Sequence, residues 1–370
     1  MYFDDIDVEK RKPQVSPHCM EPSFGPTVLT PTLPALGGPA AALKAIHSLF
    51  PSHSIIDGLK RRMIPMALEH QEVFERKIAQ YPVNVCELTF ASLFCWSKVF
   101  PHYLGKNSPH FFCEYKEHII VGFYDVMGQL FLYQPIGHDP VEIIRELSAT
   151  PTAVEWTCIE ESIARRVFGD ADVIFERDHC DYLYSLPELR AMKGGKFQKK
   201  RTYIRHCEEL KPTVVALDSS MASQCLDVNR KWLEQKPDPD ATDAVALETA
   251  ISSFDRFGLS GIGVLINGEL QAFSIGEPLN PTTYCLHYQK ANDAIHGLYQ
   301  YVFHAFTKSI PESFQFLNRE EDLGIEGLRI TKEGWNPCAM INKFSIRNPQ
   351  KRQLLERLAT RERQAVALAA

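Results

Sequence analysis

The chain has 370 residues, 45% hydrophobic and 11% aromatic, enough for two domains with ordinary cores. Its formal net charge of -6 excludes a global pull toward nucleic acid, so any basic surface must be local. No run approaches the ~20 apolar residues of a membrane span, and the acidic start MYFDDIDVEK lacks a signal peptide's basic and apolar regions, so a cytoplasmic protein is expected.

Residues 1–58 are rich in Pro and Gly and carry no sustained period, which predicts a disordered leader. Two passes of similar order follow. The first predicts helices over 68–80 and 88–99, then strands over 111–115, 119–124 and 129–134. A helix begins at Asp139-Pro140, and a strand (154–159), a helix (160–168) and a strand (171–175) complete the pass. The second predicts a strand over 213–217 and helices over 221–235 and 241–257. Strand 262–266 then turns at Asn267-Gly268, where both residues tolerate positive φ. Strands 270–276 and 283–290, helix 297–308, strand 314–317, helix 324–333 and strand 339–346 finish it. Residues 349–370 read as a charged helical tail with Leu354, Leu355 and Leu358 as its stripe.

The repeated order predicts two copies of one α/β module, over 59–185 and 186–348, the second opening with a basic linker helix. It resembles the acyltransferase fold of the GNAT superfamily in tandem: an α/β (α+β) protein, each copy a mixed, largely antiparallel sheet flanked by helices.

The ten cysteines are scattered without any C-x-x-C, so reduced, buried thiols are expected and no metal. Adjacent His179 and Cys180 would point to opposite faces of a strand and make a poor ligand pair. No HExxH, phosphate-binding loop, complete dinucleotide fingerprint or nucleophile elbow occurs.

Chemistry concentrates after residue 317, where Arg319, Glu320, Glu321, Asp322, Glu326, Arg329 and Lys332 crowd together. Such a set builds either an ion lattice or a reactive cleft. Strand alternation would send Asn318 and Glu320 to one face and Arg319 and Glu321 to the other; helical spacing puts Arg329 on the face of Glu326. Upstream, Lys193, Lys196, Lys199, Lys200, Arg201 and Arg205 form a basic block whose apolar stripe is Phe197, Ile204 and Cys207. Its cations would attract an RNA backbone or anionic head groups, or simply be solvated. Tyr182 and Tyr184 read as core.

Three segments, DYLYSLPELRAMKGGKFQKKRTYIRHCEEL (181–210), HYQKANDAIHGLYQYVFHAF (287–306) and FLNREEDLGIEGLRITKEGWNPCAMINKF (316–344), together with ELTFASLFCW (87–96), resemble the signature blocks of the phosphatidylglycerol lysyltransferase C-terminal-like family, short soluble members included. That family is similar to the Fem-type enzymes. The resemblance implies transfer of an aminoacyl group from aminoacyl-tRNA to a lipid, peptide or small-molecule acceptor, with no further cofactor. On this reading Arg319 and Arg329 contact an oxyanion or phosphate, and Glu320 and Asp322 serve as general base or ammonium receptor. Lys290, Tyr299, Glu326, Lys332, Lys196, Lys200 and Arg201 contact substrate. Gly297 would let a helix N-terminus approach donor phosphates closely.

Family members commonly carry a glutamate where this chain has Gln289, so that carboxylate's role is either lacking here or falls to Glu320. A Gly-rich pyrophosphate loop of the acetyl-CoA type is missing, which disfavours the alternative of an acyl-CoA-dependent N-acyltransferase. A non-catalytic tandem-domain RNA-binding or scaffold protein is the other alternative. A lipid acceptor would be met at a membrane surface or in solution.

Overall fold

The computed structural model describes residues 55–99, 110–125, 128–149, 154–168, 173–236 and 243–346. Most of the expected leader and the tail at 349–370 lie outside them. In chain order the elements are α1 (Ile55–Arg62), β1 (Ile64–Pro65), α2 (Gln71–Gln80), α3 (Phe90–Trp96), β2 (Phe111–Tyr115), β3 (His118–Tyr124), β4 (Leu130–Tyr133), α4 (Val141–Ser148), β5 (Glu155–Glu160), α5 (Glu161–Phe168), β6 (Val173–Phe175), β7 (Asp181–Ser185), α6 (Leu186–Ala191) and α7 (Gln198–Glu208). They continue with β8 (Thr213–Ala216), α8 (Ala222–Leu233), α9 (Ala244–Ser252), β9 (Ser260–Ile266), β10 (Glu269–Asn280), β11 (Thr283–Ala291), α10 (Leu298–Ser309), β12 (Phe316–Asn318), α11 (Glu326–Glu333), β13 (Ala339–Ile341) and β14 (Lys343–Ile346).

The strands form two seven-stranded sheets, ordered β1-β2-β3-β4-β5-β14-β6 and β13-β7-β12-β11-β10-β9-β8. Each is an antiparallel meander with one parallel step, β4 to β5 in the first and β11 to β12 in the second. This is the expected α/β class: two mixed, largely antiparallel sheets flanked by helices.

The described chain divides into two compact units, but not at residue 185. One takes described residues within 67–109 and 177–342, the other those within 55–66, 110–176 and 343–346. Asp181–Ser185 therefore pairs in the second sheet, antiparallel to β12 and β13. The single strand expected over 339–346 is two strands in different sheets, separated at Asn342. The exchange is reciprocal: β14 inserts between β5 and β6, as β7 inserts between β12 and β13. α1 begins at Ile55, inside the expected leader, because Ile56 and Leu59 are needed in the core of their unit.

In the unit of the first sheet, Ile120, Leu132, Trp156 and Ile159 on the strands pack with Ile144 and Leu147 of α4, Ala164 of α5 and Phe344 and Ile346 of β14. Trp156 is almost fully buried, and its indole N–H donates to Ser148 Oγ at 2.8 Å, so the large ring enters the core without stranding its polar atom.

In the unit of the second sheet, Tyr182, Tyr184 and Leu186 join Val264, Ala272, Leu286 and Leu317 against Leu298, Val302, Phe303 and Phe306 of α10 and Ile204 and Cys207 of α7. Both tyrosines are core, as expected, and so is the Phe197, Ile204, Cys207 stripe. The Asn267-Gly268 turn joins β9 and β10 with φ of 54° and 82°. On the same unit, Thr89 Oγ1 accepts from Ser92 N at 3.1 Å and caps α3, whose residues from Phe90 to Cys95 are all buried. Nine cysteines fall among the described residues; all are free, and all except Cys158 and Cys338 are buried.

Candidate active site

The parallel strands β11 and β12 stay together for three residue pairs only, Thr283 with Phe316, Tyr284 with Leu317 and Cys285 with Asn318. Beyond Asn318 the chain follows β7 instead: Arg319 N donates to Tyr182 O at 3.0 Å, and Tyr182 N to Glu320 O at 3.2 Å. β11 continues to Ala291 along β10, so the two strands part. At the parting β11 bulges. Its register jumps from Leu286 opposite Gly276 to Tyr288 opposite Ile275, leaving His287 as the extra residue. A bulge re-aims the side chain it carries.

His287 turns toward two carboxylates. Its Nε2 lies 2.9 Å from Glu277 Oε1 and its Nδ1 2.7 Å from Glu320 Oε1, with the His side chain only 5% exposed. Burial works against a charged ring. The nearby Cys285 sulfur and the hydrogen bonds to Glu277 and Glu320 outweigh it and hold the imidazole pKa well above its ordinary value. Burial in turn raises the Glu320 carboxyl, opposed by the contact with His287. Glu320 reaches this position through a left-handed backbone, φ 59°. Asn318 stabilises that turn, its Oδ1 accepting from Glu320 N at 2.7 Å while its Nδ2 donates to Asp181 Oδ2 at 2.9 Å.

The left-handed residue overturns the expected alternation. Glu321 does not share a face with Arg319; its Oε2 lies 3.9 Å from Cys86 Sγ, beside Asp181. Ligand-capable atoms of Cys86, Glu87, Asp181 and Glu321 lie within 4.8 Å of one another, as do those of Cys285, His287 and Glu320. In the first set the Cys86 thiol lies within hydrogen-bond distance of Asp181 and Glu87, and in the second His287 bonds Glu320.

Arg319 lies on the α10 side of the sheet. Its guanidinium sits 3.9 Å from the Phe303 ring centroid and 5.7 Å from that of Tyr184. Its Nη1 is shut off from solvent without a hydrogen-bond partner. Lys332 is buried below, donating to the carbonyls of Arg319 (2.7 Å) and Glu321, so it braces the loop. Lys200 of α7 places its ammonium 5.1 Å from the Trp335 ring.

The remaining acid–base residues of the block engage one another. Asp322 is fully buried, taking Arg329 through Nε (2.9 Å) and Nη2 (2.7 Å), Arg177 at 3.0 Å and the Tyr182 hydroxyl at 2.6 Å. Arg329 also reaches Asp178 at 2.6 Å. The ion-lattice alternative thus describes Asp322 and Arg329, while Glu320 pairs with His287 and Arg319 stacks on Phe303. Arg329 turns to Asp178 and Asp322, and Glu326 stays exposed at the start of α11.

Elsewhere, Lys290 is buried, paired with Asp243 at 2.7 Å and set 3.6 Å from the Trp232 centroid. Gln289 donates to Tyr299 O at 3.3 Å, and its own Oε1 is buried without a partner. Burial and Asp293 push the Tyr299 phenol upward. Lys196 pairs with Glu188 at 2.7 Å on the surface, and Arg201 bonds the carbonyls of Met192 and Gly194. Gly297 does permit a close approach, but by protein backbone: a Cβ there would come within 2.0 Å of Tyr203 O. Glu277 and Asp181 escaped sequence reasoning, because nothing local marks them as neighbours of Glu320 or Cys86.

With this geometry in view, the family described as Phosphatidylglycerol lysyltransferase, C-terminal, matches residues 79–347. No curated protein matches the chain. Among solved structures, a conserved protein of unknown function from Bacteroides thetaiotaomicron is 25% identical with a TM-score of 0.67, over 76% of this chain and 98% of that one. Two further structures share the fold. The C-terminal domain of a putative lysylphosphatidylglycerol synthetase from Agrobacterium fabrum has 13% identity and a TM-score of 0.54, over 78% of this chain and 95% of that one. L-PGS from Bacillus licheniformis has 15% identity and a TM-score of 0.53, over 78% and 96%. A match of that extent settles the family: the chain belongs to the phosphatidylglycerol lysyltransferase, C-terminal, family.

Proposed function

We propose that this protein is an aminoacyltransferase that takes an aminoacyl group from aminoacyl-tRNA and passes it to a hydroxyl or amine of a lipid, peptide or small-molecule acceptor. The observation that carries the reading is the Glu320 carboxylate, held 2.7 Å from His287 Nδ1 where β11 and β12 part. Family membership supports the transferase class.

In this scheme the acceptor O–H or N–H attacks the ester carbonyl of the donor. Its proton passes to Glu320, whose basicity burial raises. The new acyl–acceptor bond forms as the ester C–O bond breaks, and the ribose oxygen leaves with the proton returned by Glu320. His287 fixes the Glu320 carboxylate in place, and Glu277 fixes His287. The Arg319 guanidinium, one residue away, offsets negative charge on the donor. Lys193, Lys199 and Arg205 remain exposed on the basic segment, where they attract an RNA backbone without reading its sequence.

No helix among the described residues is long and apolar enough to cross a membrane. A lipid acceptor would be engaged at a membrane surface from the cytoplasm. The test is incubation of the full chain with a labelled total aminoacyl-tRNA pool and lipid or metabolite extracts, followed by mass spectrometry of products. A new aminoacylated product supports the reading; tRNA that stays charged in every extract, with no product, sinks it.

A further inference from the structure

Two cations of the same unit lack a carboxylate partner among the described residues. Arg319 takes part in no ion pair; the Tyr184 hydroxyl is its polar neighbour, and its Nη1 is buried with no acceptor. A buried donor left unmade costs stability, so its retention calls for an acceptor that arrives from outside. Lys200 has no ion pair either. Its ammonium lies over Trp335, and a Cβ on Gly334 would stand 3.3 Å from its Nζ, so the backbone there makes room for it.

The two cations share one aromatic wall. Arg319 stacks on Phe303, Phe303 meets Trp335 edge-on at 4.4 Å, and Trp335 carries Lys200. Like charges gathered on one apolar wall repel, and a bound anion relieves both. The other charged groups nearby are already engaged. Lys332 is spent on two carbonyls, Glu333 pairs with Arg177, and the Tyr184 hydroxyl donates to Lys332 O at 2.7 Å. Glu320 and Glu321 turn toward His287 and Cys86. Arg319 and Lys200 are each partly exposed as residues, though Arg319 Nη1 itself is closed to solvent, so the anion must open the contact around it.

We propose that Arg319 and Lys200 form a subsite for one phosphate group, a guanidinium and an ammonium closing on the same anion against the Phe303–Trp335 wall. The electrostatics agree: burial, then the charge of Arg319, depresses Lys200 to about 8, and burial lowers Arg319. A polyanion suits the surroundings better than an isolated head group, because α7 continues from Lys200 with exposed Lys199 and Arg205. The phosphate is therefore assigned to the nucleotide end of the donor. That source rests on the transfer reading; the anion subsite itself does not.

The test titrates the full chain with inorganic phosphate by calorimetry, in chloride of matched ionic strength, with Trp fluorescence in parallel. Saturable binding is expected, with a fluorescence change that disappears in Trp335→Phe. Lys200→Gln and Arg319→Gln should each weaken binding at least about tenfold, the loss of one charge-assisted contact, while Lys200→Arg retains it. Circular dichroism checks that the variants are folded. Phosphate binding that is absent, or equal in Lys200→Gln and the parent, overturns the subsite even if aminoacyl transfer is observed. AMP and glycerol 1-phosphate then separate the sources. Tighter binding of AMP supports the nucleotide end, and equal or tighter binding of glycerol 1-phosphate overturns that assignment in favour of a lipid head group.

Discussion

His287 Nδ1 lies 2.7 Å from Glu320 Oε1, although one residue belongs to a bulge in β11 and the other to a left-handed turn after β12. Two local irregularities on neighbouring strands meet in one hydrogen bond. Regular pleating would have pointed both side chains elsewhere, so the pair depends on each distortion.

Glu320→Gln keeps the shape of the side chain and removes its basicity. Single-turnover transfer from aminoacyl-tRNA should fall by ~10²–10⁴, the range of a lost general base, at temperatures where the variant is still folded, with a lower thermal midpoint from the weakened pair with His287. Full transfer by the folded variant would mark Glu320 as a structural residue.

Arg329→Ala should act on stability. The carboxylate of Asp322 is fully buried, and Arg177 would be left as its only guanidinium. Breaking one limb of such a lattice should cost roughly 3 kcal/mol, read from urea unfolding midpoints. Near-parental stability with abolished transfer would instead place Arg329 at the substrate.

Two groups predict opposite responses to pH. The folded His287 pKa is raised above its unfolded value near ~6.5. Its stabilisation is therefore complete below about pH 6.5 and is lost as pH rises through the folded value. Asp322 is shifted down: burial alone would raise it, but the hydrogen bonds from Arg329, Tyr182 and the Gly324 amide prevail. Its contribution is present above about pH 4 and fades as pH falls through the folded value. Histidine NMR should find His287 still protonated at neutral pH, and Asp322→Asn should flatten the acid limb of stability against pH. A His287 ring that titrates at an ordinary value would refute the first shift.

Gly297→Ala meets both strain and a clash, since φ is 82° and the added carbon would sit 2.0 Å from Tyr203 O. The variant should lose roughly 1–3 kcal/mol by thermal or chemical unfolding. Full stability would show that α7 and α10 can separate locally.

Much of this fold can be read from the chain. The three-strand runs of both meanders are expected close to where they lie, Asn267-Gly268 announces its turn, and the helix expected over 297–308 is α10. The crowded block after residue 317 was also legible as the place to look. Its internal division was not. Asp322 and Glu320 are two residues apart and chemically alike, yet one meets two guanidiniums and the other an imidazole. The deciding contacts come from Arg177, Asp178, Glu277 and His287, far away in the chain. The five-residue strand at Asp181 was missed because its partners lie more than a hundred positions downstream, beyond any local pattern.

The insertion of β14 between β5 and β6 bears on how the molecule is made. A growing polypeptide leaves a gap inside that layer until residue 346 has been synthesised, so assembly of the layer must await translation of nearly all of the intervening unit. Excising either half as a contiguous fragment would remove a strand from the interior of one layer and leave apolar side chains such as Phe344 and Ile346 without their seats.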